Sequence, residues 1–166
     1  MFTRTAAALP LKKRVLRGRC LVLVDIENVV GGAVMAVEEA ASAHQSIDDA
    51  VPLSGREHIV IGTSHIGVLA SWLGWSGPRI VTRSGENGAD LALLEVLTGE
   101  RVEERFDEVV LVSGDGIFTE AVAELGAAGV AVTVVARRGR CSKRLRMAAS
   151  RTIFLNDDAI EVGGVA

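Results

Sequence analysis

The chain has 166 residues, 49% of them hydrophobic and 23% charged, with a formal net charge of -3. That is enough for one domain with a real core, and it excludes disordered, fibrous and uniformly basic classes. The charge is unevenly spread: 13 of the 18 basic residues fall in Arg4 to Arg19 and Arg137 to Arg151, so the two ends can meet a polyanion although the whole chain is acidic.

In chain order, residues 1–18 read as a basic arm, 19–160 as a single domain and 161–166 as a short tail. The arm's small apolar patch precedes its charges, the reverse of a secretory signal. No window reaches the ~18 apolar residues of a membrane span. The expectation is a cytoplasmic protein without a membrane partner. Cys20 and Cys141 are too few and too far apart for a disulfide framework or metal-ligand spacing.

The first strand is Cys20 to Val24, a continuous apolar run that ends abruptly in Asp25-Ile-Glu27-Asn28. Alternation puts Asp25 and Glu27 on one side. Turn and cap chemistry explains an Asp and an Asn after a strand. A carboxylate directly following Leu-Val-Leu-Val, however, sits at a desolvated edge, where an unpaired charge is costly unless a cation or several donors meet it. Helix is expected over Gly32 to His44, then a surface loop over Ala50 to Glu57 with Pro52 and Gly55. A second strand at Ile59 to Ile61 leads to His65, a lone histidine that reads more readily as structural than catalytic. Helix follows over Ile66 to Leu73, with Trp72 and Trp75 at core or interface spacing.

Strand character returns at Arg79 to Thr82, ahead of Ser84-Gly-Glu86-Asn87-Gly-Ala-Asp90. Asp90 opens a helix over Ala89 to Leu97, and there an acid is favoured by the helix dipole whatever else it does. Val109 to Val112 then runs a buried strand into Ser113-Gly-Asp115-Gly, a glycine-rich turn that permits close backbone approach. Similar glycine-Asp turns in NAD and lipid kinases bind nucleotide phosphates, but Ser113 and the strand directly before it fit that reading poorly. Helix over Thr119 to Ala128, strand over Val130 to Val135, helix over Ser142 to Ala149 and a short strand at Ile153 to Leu155 complete the pattern.

Strands alternating with helices give an α/β fold: a doubly wound, mainly parallel sheet of five to six strands with helices on both faces, a Rossmann-like three-layer sandwich. Ligands of such sheets bind beyond the carboxyl ends of the strands, where strand order reverses. Asp25 and Asp115 both lie at that end. Arg137, Arg138, Arg140, Lys143, Arg144 and Arg146 cluster after the fifth strand, several on one surface. With Tyr absent and aromatics at 4%, they suit backbone contact better than base stacking.

Asp25 with Asn28, Asp90 in Asn87-Gly-Ala-Asp90, and Ser113-Gly-Asp115 together resemble, in order, the NYN domain family of PIN-like ribonucleases, in its LabA-like bacterial form. The resemblance runs from about Leu21 to Leu155. It implies a PIN-like fold and a metal-dependent endoribonuclease in which Asp25, Asp90 and Asp115 hold Mg²⁺ or Mn²⁺. Asn28 and Ser113 would orient water or a phosphate oxygen, and the Arg-rich tail would hold RNA, single-stranded rather than duplex. Glu27, Glu86 and His65 are auxiliary candidates, and a homodimer is left open. Many members carry a further Asp two residues after the Ser-Gly-Asp acid, where this chain has Ile117. The contrasting expectation is therefore a weakly active or inactive module that binds RNA or a protein.

Overall fold

The computed structural model describes residues 18–156, so nearly all of the basic arm and the tail lie outside the described residues. Six strands form one fully parallel sheet: β1 Cys20–Asp25, β2 His58–Thr63, β3 Arg79–Thr82, β4 Glu108–Val112, β5 Ala131–Arg137 and β6 Arg151–Leu155. Their order is β3-β2-β1-β4-β5-β6. The chain winds outward from β1 to β3 and then returns to pair β4 on the other side of β1. The reversal therefore falls between β1 and β4, the two strands that end in acids.

Alternation along the strands assigns the two faces. Leu21, Leu23, Val109 and Leu111 belong to one core with Leu93, Val96 and Leu97 of α4 (Gly88–Gly99), Val122 and Leu125 of α6 (Thr119–Ala127), and Leu145 of α7 (Lys143–Ala148). Val22, Val24, Val110 and Val112 belong to the other, with Ala40, Ala43 and Ile47 of α2 (Val37–Ala50) and Ala70 of α3 (Val68–Gly74). Burial on both faces is why these strands are continuous apolar runs rather than alternating ones.

Helix boundaries differ most from expectation after β1, and the helix expected from Ile66 starts as a 3-10 turn, His65–Gly67, with α3 proper beginning at Val68. The pattern predicts helix from Gly32, but α2 begins at Val37 and runs past His44 to Ala50. A short α1 (Ile26–Val30) intervenes and is stopped by Gly31 in the left-handed region, φ 93°. Glu39 accepts the backbone N–H groups of Met35 and Ala36 and so fixes the later start. Ile47, fully buried, carries the helix on. A single turn, α5 (Val102–Arg105), is too short to leave a periodic signal.

Candidate active site

β1 alternation points Asp25 to the same face as Leu21 and Leu23, toward α4, and β4 alternation does the same for Ser113. The Ser113 hydroxyl donates to Asp25 Oδ2 at 3.0 Å, and the Asn28 N–H donates to Asp25 Oδ1 at 3.1 Å. Asn28 reaches across the switch point, its Oδ1 accepting the Gly114 N–H at 3.1 Å. Ser113 Oγ in turn accepts the Asp115 N–H at 3.2 Å. Asp25 thus caps α1 and also stands, 3% exposed, at the base of the acidic edge. Turn chemistry and site chemistry are the same contacts.

Asp90 arrives from α4. Gly62, the register partner of Asp25 on β2, makes this approach possible. A Cβ there would lie 2.5 Å from Leu93 Cγ and 2.9 Å from the Ala89 carbonyl oxygen, so any larger residue would push the first turn of α4 away from the sheet. Gly88 is equally confined, against the Arg83 carbonyl. Asn87 precedes it at φ 55°, a left-handed conformation that Asn tolerates better than most residues. The result is a buried Asp90 whose carboxyl lies close enough to that of Asp25 for each to shift the other's titration.

Two carboxylates so placed cannot both ionise cheaply. Burial first, then the hydrogen bond and charge of Asp90, pushes Asp25 up to about 8, against the Asn28 and Ser113 donors that favour its ionised form. Asp90 is also raised, chiefly by burial; its hydrogen bond with Asp25 opposes this, and the charges of Asp115 and Glu27 add to it. Asp90 Oδ1 and Ser64 Oγ are buried without a hydrogen-bond partner among the described residues. Both residues line a cleft of about 200 Å³ shared with Asp25, Glu27, Asn28 and Asn87. Orphaned oxygens and a repelling acid pair fit a cation ligand set.

The other candidates take different positions. Asp115 is half-buried and caps the turn that follows, accepting the Ile117 N–H at 2.9 Å. It bears on Asp90 through charge, and among the described residues no three His, Cys, Asp or Glu side chains meet at direct metal-ligating geometry. Glu27 accepts the Ser64 N–H at 2.8 Å and the Thr63 hydroxyl at 3.5 Å, tying the turn after β1 to the turn after β2. His65 is exposed and shares a 2.8 Å hydrogen bond with Ser84, linking the loops after β2 and β3. Glu86 is exposed in the loop between cleft residues Gly85 and Asn87. A larger concavity of about 560 Å³ opens at the opposite, amino end of the strands, by His58, Arg79 and Phe106.

The basic cluster divides. Arg137 and Arg140 bring their guanidinium groups to 3.2 and 3.6 Å from the position of a Cβ on Gly31, beside the turn that follows β1. Arg138 lies over the Phe154 ring, 5.0 Å from its centroid. Lys143, Arg144 and Arg146 are exposed on α7. The loop is laced to the Ser-Gly-Asp turn: the Ser142 N–H donates to the Gly114 carbonyl at 2.8 Å, and a Cβ on Gly114 would collide with the Arg140 carbonyl. Gly62 is the residue at the site that sequence reasoning missed, and Glu27, an auxiliary candidate, is held by Ser64 and Thr63 in a clamp between turns. A glycine inside the β-branched run Ile61-Gly62-Thr63 was the available signal for close backbone approach.

A fully parallel sheet of this order, with helices on both faces, is a PIN-like α/β fold. The NYN domain model matches residues 66–156, more than half of the chain. The chain belongs to the NYN domain family. Asp90, Asp115 and the basic cluster lie inside the matched stretch, and Asp25 with Asn28 lies before it. It is similar to the low amplitude and bright protein LabA of Synechococcus elongatus, 46% identical over 54 residues, which are 32% of this chain and 29% of that protein. The chain therefore spans under a third of that relative. Its fold is similar to that of a protein of unknown function from Vibrio parahaemolyticus, with a TM-score of 0.51, 18% identity, and coverage of 85% of this chain and 94% of that one. Among the described residues no helix is long and apolar enough to cross a membrane.

Proposed function

We propose that the chain is a metal-dependent endoribonuclease whose acid pair, Asp25 and Asp90, holds Mg²⁺ or Mn²⁺, with Asp115 completing the negative field. The observation that carries this reading is the contact between two buried carboxyls at the switch point, one oxygen of which has no partner. Such a cation, when bound, lowers the pKa of a coordinated water and steadies the charge that builds on a scissile phosphate. Mg²⁺ keeps several waters, so two or three carboxylates suffice.

The chain's own residues supply the rest. Asn28 and Ser113 hold Asp25 in one rotamer and keep the turns after β1 and β4 in register, which is the preorganisation that positioning catalysis needs. Glu27 holds the Ser64 rim of the cleft. Arg137 and Arg140, beside the turn after β1, would meet the phosphates of an RNA strand entering the cleft, and the exposed Lys143, Arg144 and Arg146 would extend the track. The domain spans residues 19–160, between a basic arm and a short tail, and works in the cytoplasm.

One observation favours a second reading, a module that binds RNA without cutting it. Ile117 is half-buried against the core and offers no oxygen next to Asp115. A cleavage assay on labelled single-stranded RNA with Mg²⁺ or Mn²⁺ separates the two. Cutting by the wild type that is lost in Asp25→Asn and Asp90→Asn supports the nuclease. Intact RNA with salt-sensitive binding retained supports the module.

A further inference from the structure

We propose that the outward face of α3 is a twofold interface joining two copies of this chain. The proposal is independent of the nuclease reading. Leu69, Trp72 and Leu73 of α3 share one side, with Ile66 of the 3-10 turn His65–Gly67 just before it, and Ile66, Leu69, Trp72 and Leu73 are 67%, 65%, 57% and 52% exposed. Burying a stripe of this kind is what normally fixes a helix to its domain; here α3 buries its opposite side, through Ala70 and Ser71, and leaves this one open.

The start of α2 enlarges the patch. Gly74 packs its backbone against the Val37 carbonyl, and Gly67 against Val34, so exposed Met35 and Val37 flank the stripe. Trp75 shows the contrast, at 3% exposure and stacked on His44 with ring centroids 4.1 Å apart. Of two tryptophans three residues apart, one is core and the other is offered outward.

Three features commit the surface to a second copy. Those six side chains expose on the order of 600–700 Å² of apolar surface, close to the roughly 800 Å² per partner that a standard stable interface covers. No Asp, Glu, Lys or Arg occurs between Glu57 and Arg79 in a chain that is 23% charged. In a twofold contact each residue meets the same patch turned around, so the uncharged α3 stripe faces itself without like-charge repulsion, with Glu38 at the α2 margin of the patch. Interface cores are similarly depleted of charge and rich in Trp and Met. The same lack of cations argues against RNA, which needs them, and against a bilayer surface, where an amphipathic helix carries Lys and Arg on its polar side. Two antiparallel copies of α3 would place both acidic edges on one assembly, because Ser64, just before this segment, lines the cleft.

Light scattering on the full chain tests this directly. At high micromolar concentration the wild type is expected at twice the 17.5 kDa of one chain, and Leu69→Glu combined with Trp72→Glu is expected at the single-chain mass with unchanged circular dichroism. A wild type that stays at the single-chain mass overturns the proposal, as does a folded variant that stays doubled. Should the variant fail to fold, acrylamide quenching of wild-type tryptophan decides: quenching must rise on dilution as Trp72 is released. Quenching that ignores dilution means that something other than a second copy, such as a segment of the same chain, covers the patch, and it overturns the proposal equally.

Discussion

Replacing Asp25 with Asn should make the metal-free protein more stable at alkaline pH, although it removes the residue at the heart of the site. A folded carboxyl raised from its ordinary value of 3.8 to about 8 has a definite sign. The metal-free fold is most stable where this group is protonated in both states, below about pH 4. That stability is lost as pH climbs through about 8. At the alkaline limit the cost of keeping this group in the fold is at most about 6 kcal/mol, from roughly 1.4 kcal/mol for each tenfold change in proton affinity. Relaxation and water entry return part of this, and Asn keeps one carbonyl oxygen where Asp25 has two acceptors serving Asn28 and Ser113. One weakened hydrogen bond costs about 1 kcal/mol. The net gain expected for Asp25→Asn is therefore about 1–3 kcal/mol at pH 8.5, or roughly 3–10 °C in Tm for a chain of this size. At pH 4 only the hydrogen-bond loss remains, so the variant should melt slightly below wild type. Thermal melts in EDTA across that range measure the difference. A difference that does not change sign with pH refutes a repelling carboxyl pair.

Adding Mg²⁺ or Mn²⁺ should raise the wild-type Tm by more at pH 8.5 than at pH 5.5, since protons compete for the pair; equal gains at both pH values would count against binding there. Gly62→Ala places a Cβ 2.5 Å from Leu93 Cγ and must displace α4; a loss of about 1–3 kcal/mol is expected in urea melts, with cleavage reduced because Asp90 moves with the helix. Arg137→Ala with Arg140→Ala should raise KM for RNA while kcat holds, and should lower the salt dependence of binding by about 0.7 in log-log slope for each phosphate that is no longer neutralised.

The strands were legible because each is a continuous apolar run that the sheet buries on both faces, and their acidic ends were legible because Asp25 and Ser113-Gly-Asp115 interrupt such runs so sharply. Strand order was only partly legible. Nothing local specifies that β1 pairs β4 rather than β3; the pairing comes from the winding of the whole chain. Ala, Val and Met in residues 32–36 suit a helix, and neither the stop imposed by Gly31 nor the Glu39 cap announces itself in composition. At the site, Asp90 supports two readings, first-turn acid and ligand; its place in the first turn of α4 satisfies the first, and its position beside Asp25 is compatible with the second. Glu27 reads as a further acid for the cleft, but its oxygen is held by the Ser64 N–H, a partner 37 residues away that no spacing rule reaches. Gly62 decides how close α4 comes, through a side chain that is absent.

The central claim, a divalent cation held between Asp25 and Asp90, is tested most directly by soaking crystals of the protein with Mn²⁺ and collecting anomalous diffraction. One peak about 2 Å from a carboxylate oxygen of each residue, absent from Asp90→Asn crystals, is the predicted result. A peak elsewhere, or none while the two carboxyls keep their hydrogen bond, would contradict it.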